Sequence, residues 1–88
     1  MKLKIKAKSF NDLVMQNKTE KFEKMLGIQE KFIKENMFKG KKSVVWIFHD
    51  IEYYNSEIER MWFNEFKEKA KSMFEKKGFK VNGVIIKW

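Results

Sequence analysis

Three residues that could act as acids, bases or metal ligands follow the most apolar stretch of the chain. His49, Asp50 and Glu52 come directly after SVVWIF, residues 43–48. An imidazole beside carboxylates could transfer protons or bind a divalent metal ion, as in a small nuclease. His49 is the only histidine and the chain has no cysteine, so a typical zinc set cannot be completed. We therefore predict a non-catalytic protein without metal or other cofactor, and assign these residues to a polar loop.

A second pattern with chemical meaning is the alternation of lysine with apolar residues in KLKIKAK, residues 2–8. The lysines are Lys2, Lys4, Lys6 and Lys8. Side chains alternate between the two faces of a β-strand, so these lysines would share one face at intervals of about 6.6 Å. That interval is close to the phosphate spacing along an extended nucleic-acid strand, and the pattern predicts a strand that binds phosphate. The alternative is a solvated edge strand whose lysines prevent aggregation.

Two further groups of lysines could extend this surface. One precedes the apolar run at residues 43–48, and the other surrounds the end of the last predicted helix. They are Lys39, Lys41 and Lys42, and Lys76, Lys77 and Lys80. If folding brings the groups together, they form the large positive surface typical of nucleic-acid-binding proteins. The formal net charge of +8 favours the same class of partner, because a positive field attracts polyanions.

Four aromatic residues lie outside the predicted core and could stack on bases or form a protein interface. They are Tyr53, Tyr54, Phe63 and Trp88. Stacking on aromatic side chains is typical of proteins that bind single-stranded nucleic acids. Arg60 is the only arginine, which leaves little capacity for the bidentate guanine contacts that read duplex DNA. The sequence therefore favours RNA over duplex DNA, with weak sequence specificity.

Length and composition indicate one domain comprising residues 1–88. A chain of 88 residues has room for one hydrophobic core, to which we assign Trp46, Phe48 and Trp62. The apolar content of 43% is enough to fill it. No stretch reaches the roughly 18 apolar residues that span a membrane, and the lack of cysteine fits a reducing compartment. We expect a cytoplasmic protein with no membrane partner.

The N-terminal half is predicted to form a strand followed by a long helical region. The strand is KLKIKAK, residues 2–8, with its apolar residues facing the core. A helix is expected from about Phe10, because apolar residues then recur at helical spacing. Residues 17–19 and Gly27 weaken that pattern. We therefore predict one interrupted helical region that ends at Gly40.

The C-terminal half is predicted to contain a central strand and a second helix. SVVWIF, residues 43–48, lacks polar alternation, as is typical of a strand covered on both faces. Ser56 and Glu59 match the S-x-x-E capping box. Apolar residues follow at helical spacing until Gly78, which can adopt the left-handed conformation that closes many helices.

The tail FKVNGVIIKW leaves two alternatives. Asn82 and Gly83 suit a two-residue turn between antiparallel strands; otherwise a single strand runs over residues 84–88. The element order is β-α-β-α-β, with an extra short strand if the hairpin forms. This order predicts a small α+β or α/β domain in which a three- to four-stranded sheet packs against two or three helices. A helix between consecutive strands favours at least partly parallel pairing.

The composition of the whole chain resembles that of small accessory proteins of AT-rich tailed phages. The resemblance depends on 19 lysines against one arginine, six asparagines, nine phenylalanines, and the lack of cysteine and proline. Some proteins of that group are RNA-binding inhibitors of toxin–antitoxin systems. The resemblance therefore implies a toxin-inhibitor type of protein that acts in the host cytoplasm, with a host protein or ribonucleoprotein as partner.

Two functional hypotheses follow. In the first, the protein is a small nucleic-acid-binding module, with RNA as the favoured ligand, that could inhibit a host ribonucleoprotein. In the second, it is a protein-interaction inhibitor or regulator whose lysines serve solubility. The interface would then combine Phe63, the tyrosines and the acidic block at residues 50–59, which contains Asp50, Glu52, Glu57 and Glu59.

Overall fold

The computed structural model describes the backbone of residues 7–88 and the side chains of residues 12–88. Within that part, three helices and a three-stranded antiparallel sheet follow along the chain. The helices are α1 (Ala7–Phe38), α2 (Glu57–Met61) and α3 (Phe63–Glu75), and the strands are β1 (Ser43–Val45), β2 (Lys80–Asn82) and β3 (Ile85–Lys87). Two short 3-10 turns, Ile47–His49 and Ile51–Tyr53, connect β1 to α2. The prediction of a small α+β domain is confirmed.

Helix α1 sets the long dimension of the molecule. Its 32 residues rise about 48 Å, and the overall dimensions are 59 × 24 × 22 Å. Helical spacing directs Phe22, Met25 and Ile33 into the core. The helix continues through residues 17–19 and Gly27 without the expected interruption, because packing of one apolar face outweighs local propensity. In the described part of the chain, no helix is long and apolar enough to cross a membrane.

The predicted N-terminal strand is wrong where the structure tests it. Residues 2–6 lie outside the described residues, whereas Ala7 and Lys8 belong to α1. The helix therefore begins before Phe10. Alanine and lysine both favour helix, and each residue added to an existing helix gains a backbone hydrogen bond.

The central strand is β3, and the prediction of a central strand at residues 43–48 is wrong. The sheet order is β1-β3-β2, and both pairs are antiparallel, so the expected partly parallel pairing is wrong as well. Within this run only residues 43–45 form a strand, and Val45 is exposed. Ile47 and Phe48 are buried in the following 3-10 turn. A short apolar run indicates burial but does not determine whether the backbone is extended.

Strands β2 and β3 form a hairpin, which decides between the two alternatives for the tail. Asn82 pairs with Ile85, so the turn is Gly83–Val84, one residue later than the predicted Asn82–Gly83. Gly83 has a φ of 57°, and glycine at the first turn position is typical of the type II′ turn. The hairpin places β3 between β2 and β1.

The capping box predicted at Ser56 begins α2. Ser56 Oγ accepts a hydrogen bond from the backbone N–H of Glu59 at 3.3 Å, while the Glu59 carboxylate accepts one from the N–H of Asn55 at 3.0 Å. The expected single helix is divided at Trp62, which ends α2 and precedes α3. The Trp62 ring stacks on Phe66, with centroids 5.6 Å apart.

An aromatic core joins α1, α3 and the sheet. Trp46, Phe48 and Trp62 are buried, as predicted. The rings of Trp46 and Phe48 lie 5.0 Å apart, and Phe22 of α1 packs edge-on against Phe66 of α3 at 5.0 Å. These contacts fix the position of α3 against α1.

Candidate nucleic-acid interface

Helix α1 ends in a Schellman motif that carries the first group of predicted lysines. The N–H of Lys41 donates to the carbonyl of Asn36 at 2.9 Å, and the N–H of Gly40 donates to Met37 at 3.0 Å. Gly40 has a φ of 78°, the left-handed conformation that this motif requires. The chain reverses there, so Lys39, Lys41 and Lys42, all exposed, lie around the end of the helix.

Helix α3 ends in the same motif, within the second group of lysines. The N–H of Phe79 donates to Phe74 at 3.1 Å, and that of Gly78 donates to Glu75 at 3.0 Å. The rings of Phe74 and Phe79 pack edge-on at 5.6 Å, the hydrophobic contact that commonly accompanies a Schellman motif. The second group of lysines, Lys76, Lys77 and Lys80, is also exposed.

The sheet brings the two groups of lysines to one end of the molecule. Lys87 of β3 is directly opposite Ser43 of β1 on one side and Lys80 of β2 on the other. Beyond it, the N–H of Trp88 donates to the carbonyl of Lys42 at 3.1 Å. The ring of Trp88 also contacts that of Phe79, with centroids 6.4 Å apart. The sequence could not show that these groups adjoin.

We call the resulting surface the basic end. It comprises Lys39, Lys41, Lys42, Lys76, Lys77, Lys80 and Lys87. The ion pairs among residues 12–88 lie elsewhere, between Lys18 and Glu65 at 2.6 Å and between Lys21 and Glu59 at 2.9 Å. The positive charge of the basic end is therefore not offset by carboxylate contacts in the described part of the chain.

Local stabilisation explains some of these lysines but not Lys80 and Lys87. Lysines beyond a helix C-terminus interact favourably with the helix dipole, which accounts for those after α1 and α3. Lys80 and Lys87 instead stand opposite each other on neighbouring strands. Like charges in that position destabilise a sheet. Neither the helix dipoles nor pairing within the sheet therefore accounts for this pair of lysines.

The predicted phosphate-binding strand of N-terminal lysines is not formed at Lys8, the one of the four whose backbone the structure describes. Lys2, Lys4 and Lys6 lie outside the described residues. Lys8 is helical, so the two-residue periodicity of a strand does not hold there. A contribution of these lysines to phosphate binding stays a prediction.

The predicted aromatic candidates are mostly engaged within the fold. Tyr54 is only 1% exposed, and its hydroxyl donates to the carbonyl of Phe48 at 3.0 Å, so its assignment to stacking or an interface is wrong. Burial also raises the pKa of that hydroxyl. Phe63 is half-buried and packs edge-on against Tyr54 at 5.2 Å. Tyr53 and Trp88 are half-buried, and Trp88 alone of the four adjoins the basic end.

Two residues with functional potential were missed by the sequence reasoning. Lys87 lies opposite Lys80 in the sheet. A sequence prediction that placed the hairpin turn one residue later would have paired these two lysines. Phe38 is 94% exposed at the end of α1. Phe38 falls outside the apolar stripe formed by Met25, Ile33 and their neighbours, so the helical pattern predicts no place for it in the core.

The acidic candidates have local roles. Asp50 Oδ1 accepts a hydrogen bond from the N–H of Glu52 at 3.0 Å, and the ring of His49 lies 5.8 Å from that of Phe63. No group of three or more potential metal ligands comes together in residues that the structure describes. Burial acts to raise the pKa of Glu59, but the N–H of Asn55 and the ammonium of Lys21 hold it below its usual value.

Comparison with models of protein families, with curated proteins and with solved structures finds no match to this chain. Its function is therefore inferred from its own residues.

Proposed function

We propose that the protein is a non-catalytic module that binds RNA through the basic end. The observation that carries the proposal is the row Ser43–Lys87–Lys80 across the sheet, with the lysines of two helix ends beside it. Two like charges directly opposite each other destabilise the sheet of the free protein. A phosphate backbone along this row would convert that repulsion into attraction.

The type of basic residue in the basic end supports binding mainly to the phosphate backbone of RNA. All of its side chains are lysines, which meet phosphate as point charges. Arg60, the residue type that reads guanine in a duplex groove, lies on α2. Affinity should therefore depend steeply on salt and weakly on sequence. The compositional resemblance to phage accessory proteins adds a candidate target, a host ribonucleoprotein whose RNA the basic end would contact.

Two variants with equal charge change test the proposal. One replaces the exposed Lys41, Lys42, Lys80 and Lys87 by Gln, and the other replaces Lys2, Lys4, Lys6 and Lys8 by Gln. Binding of a labelled RNA of about 12 nucleotides, a length within the range of single binding modules, is measured by fluorescence anisotropy over a salt series. The first variant should lose most of the affinity, with the salt slope smaller by about 3, since each lost phosphate contact removes about 0.7.

The second variant distinguishes RNA binding by a local surface from attraction of RNA by the net charge of the protein. If net charge alone attracts RNA, both variants lose affinity equally, and the proposal fails. If the N-terminal lysines form the site, the second variant loses more than the first, which also contradicts the proposal. Unchanged binding by the first variant would exclude the basic end directly.

A groove between α1 and α3 favours a second candidate, a protein-interaction inhibitor or regulator. Its volume is about 300 Å³, and its lining includes Ile33 and Met37 of α1 and Met73 of α3. Both methionines are exposed, and methionine adapts readily to protein partners. Failure of the unmodified protein to bind RNA near physiological salt would favour this candidate.

A further inference from the structure

Phe38 is the most exposed large apolar side chain in residues 12–88, at 94%. It occupies the last position of α1, and the Schellman motif follows it immediately. Met61 is the next most exposed, at 80%, and lies on α2, away from the basic end. The Phe38 ring is therefore almost fully accessible to a ligand.

The fold itself gives Phe38 no role, as the matching end of α3 shows. There, the residue after the motif glycine is Phe79, which packs on Phe74. At the end of α1 the equivalent residue is Lys41, so the motif has no hydrophobic contact that would use a phenyl ring. Phe38 is therefore free to contact a ligand without disturbing the helix end.

The charge around Phe38 points to the kind of ligand. Lys39, Lys41 and Lys42 follow it within four residues, and no acidic residue occurs between Glu35 and Asp50. A ligand that matches this arrangement needs an apolar face beside negative charge. Single-stranded nucleic acid offers both parts in each nucleotide, a flat base beside a phosphate.

We propose that Phe38 stacks on an unpaired base of a bound single-stranded RNA, whose adjacent phosphates contact Lys39, Lys41 and Lys42. This inference rests on the proposed function and adds to it a preference for single-stranded over double-stranded RNA. In a duplex the bases are already stacked on one another, so the ring contacts only an unpaired one. Phe38 therefore sets the preference for single strands, while the lysines attract single and double strands alike.

The test compares four single variants at a fixed salt concentration. Phe38→Ala removes the ring, Phe38→Leu keeps an apolar side chain without a flat face, and Phe38→Trp keeps a flat face. Met61→Ala is the matched control, because it truncates another exposed apolar residue. Each is titrated with a labelled oligouridylate of about 12 nucleotides and with an RNA duplex of equal length. Circular dichroism confirms that each variant is folded.

The expected result is a loss of about tenfold in single-strand affinity for Phe38→Ala. Phe38→Leu should lose nearly as much, whereas Phe38→Trp and Met61→Ala should bind as the unmodified protein does. Duplex affinity should stay the same throughout.

Three results would overturn the inference. Unchanged single-strand binding by Phe38→Ala, in a protein whose binding still depends on Lys41, Lys42, Lys80 and Lys87, would remove the stacking role and leave the proposed function intact. Full binding by Phe38→Leu would show that the contact is merely apolar. No binding of either RNA by the unmodified protein would overturn both proposals and direct attention to a protein partner.

Discussion

Gln29 is the one fully buried polar side chain among residues 12–88, and it completes the free edge of β1. Its Nε2 donates to the carbonyl of Val45 at 3.0 Å, and its Oε1 accepts from the N–H of Ile47 at 2.9 Å. β1 pairs with β3 on its other side. The side-chain amide thus does what a neighbouring strand would do, and both backbone groups are satisfied inside the core.

Replacement of Gln29 by Leu tests this role. Leu has a similar volume, but it leaves the carbonyl of Val45 and the N–H of Ile47 without partners. Since each buried, unpaired group costs roughly 1–3 kcal/mol, the free energy of unfolding should fall by about 2–6 kcal/mol. Urea denaturation measures this change in the free energy of unfolding. Gln16→Leu is the control, because Gln16 is exposed on the same helix and should change stability by less than about 0.5 kcal/mol. Equal effects would contradict the role.

The sequence contains a signal for Gln29 that depends on the helix. Met25, Gln29 and Ile33 are spaced four apart, so a polar residue occupies the middle of an apolar stripe. The stripe predicts that Gln29 is buried and hydrogen-bonded. Its partners could not be predicted, because they lie on β1 and in the 3-10 turn, whose packing against α1 is a tertiary feature.

At the scale of elements, α1 and α3 both end in a glycine-closed motif followed by a strand. Gly40 and Gly78 have φ values of 78° and 94°, and each directs the chain into the sheet. Gly27 differs, because it lies within α1 without a positive φ. A Cβ added at Gly27 or Gly78 would meet no atom within 4 Å, so only backbone conformation distinguishes these positions.

Alanine at these two glycines should therefore have opposite effects. Gly78→Ala should lower the free energy of unfolding by about 1 kcal/mol, because an L-residue is strained at its positive φ. Gly27→Ala should raise it by about 0.5–1 kcal/mol, since alanine is the better helix former. Urea denaturation of both variants gives the comparison. Effects of the same sign would show that backbone conformation does not decide the outcome.

Several features encoded within a few residues were predicted, and those that depend on distant pairing were not. The capping box at Ser56 and the helix stop at Gly78 each have a short-range signal. The hairpin was one of two alternatives, with its turn expected one residue too early. The sheet order has none, because the partner of residues 43–45 is 40 residues away at β3. The same limit applies to the basic end: all of its lysines except Lys87 were candidates, but their proximity follows from that pairing.

At the scale of the molecule, α1 and α3 run in the same direction and end together. Lys18, in the first half of α1, pairs with Glu65 near the beginning of α3, and Met37 and Lys77 line one groove near the ends of the two helices. Two helix C-termini therefore place partial negative charge at one end, which favours lysines there. The basic end has more lysines than this requires, and the sheet pair of Lys80 and Lys87 adds repulsion.

Repulsion within the basic end predicts opposite effects of charge removal on stability and on binding. Without ligand, a variant with Gln at Lys80 and Lys87 alone should be slightly more stable than the unmodified protein, by about 0.2–1 kcal/mol, because Lys41 and Lys42, which the α1 dipole favours, are kept. With oligouridylate at ten times its dissociation constant, the unmodified protein should gain about 1.4 kcal/mol, or roughly 6–10 °C in Tm. The variant with Gln at Lys41, Lys42, Lys80 and Lys87 should gain almost nothing. Thermal unfolding followed by circular dichroism, at low and high salt, measures both effects.

The salt series distinguishes binding from general charge screening. Salt alone should stabilise the unmodified protein by weakening repulsion, while it should abolish the gain from oligouridylate by competing for phosphate contacts. A variant that is less stable without ligand would show that these lysines are retained for the fold. An increase in stability together with loss of the RNA effect is the outcome expected of a surface kept for binding at a cost to stability.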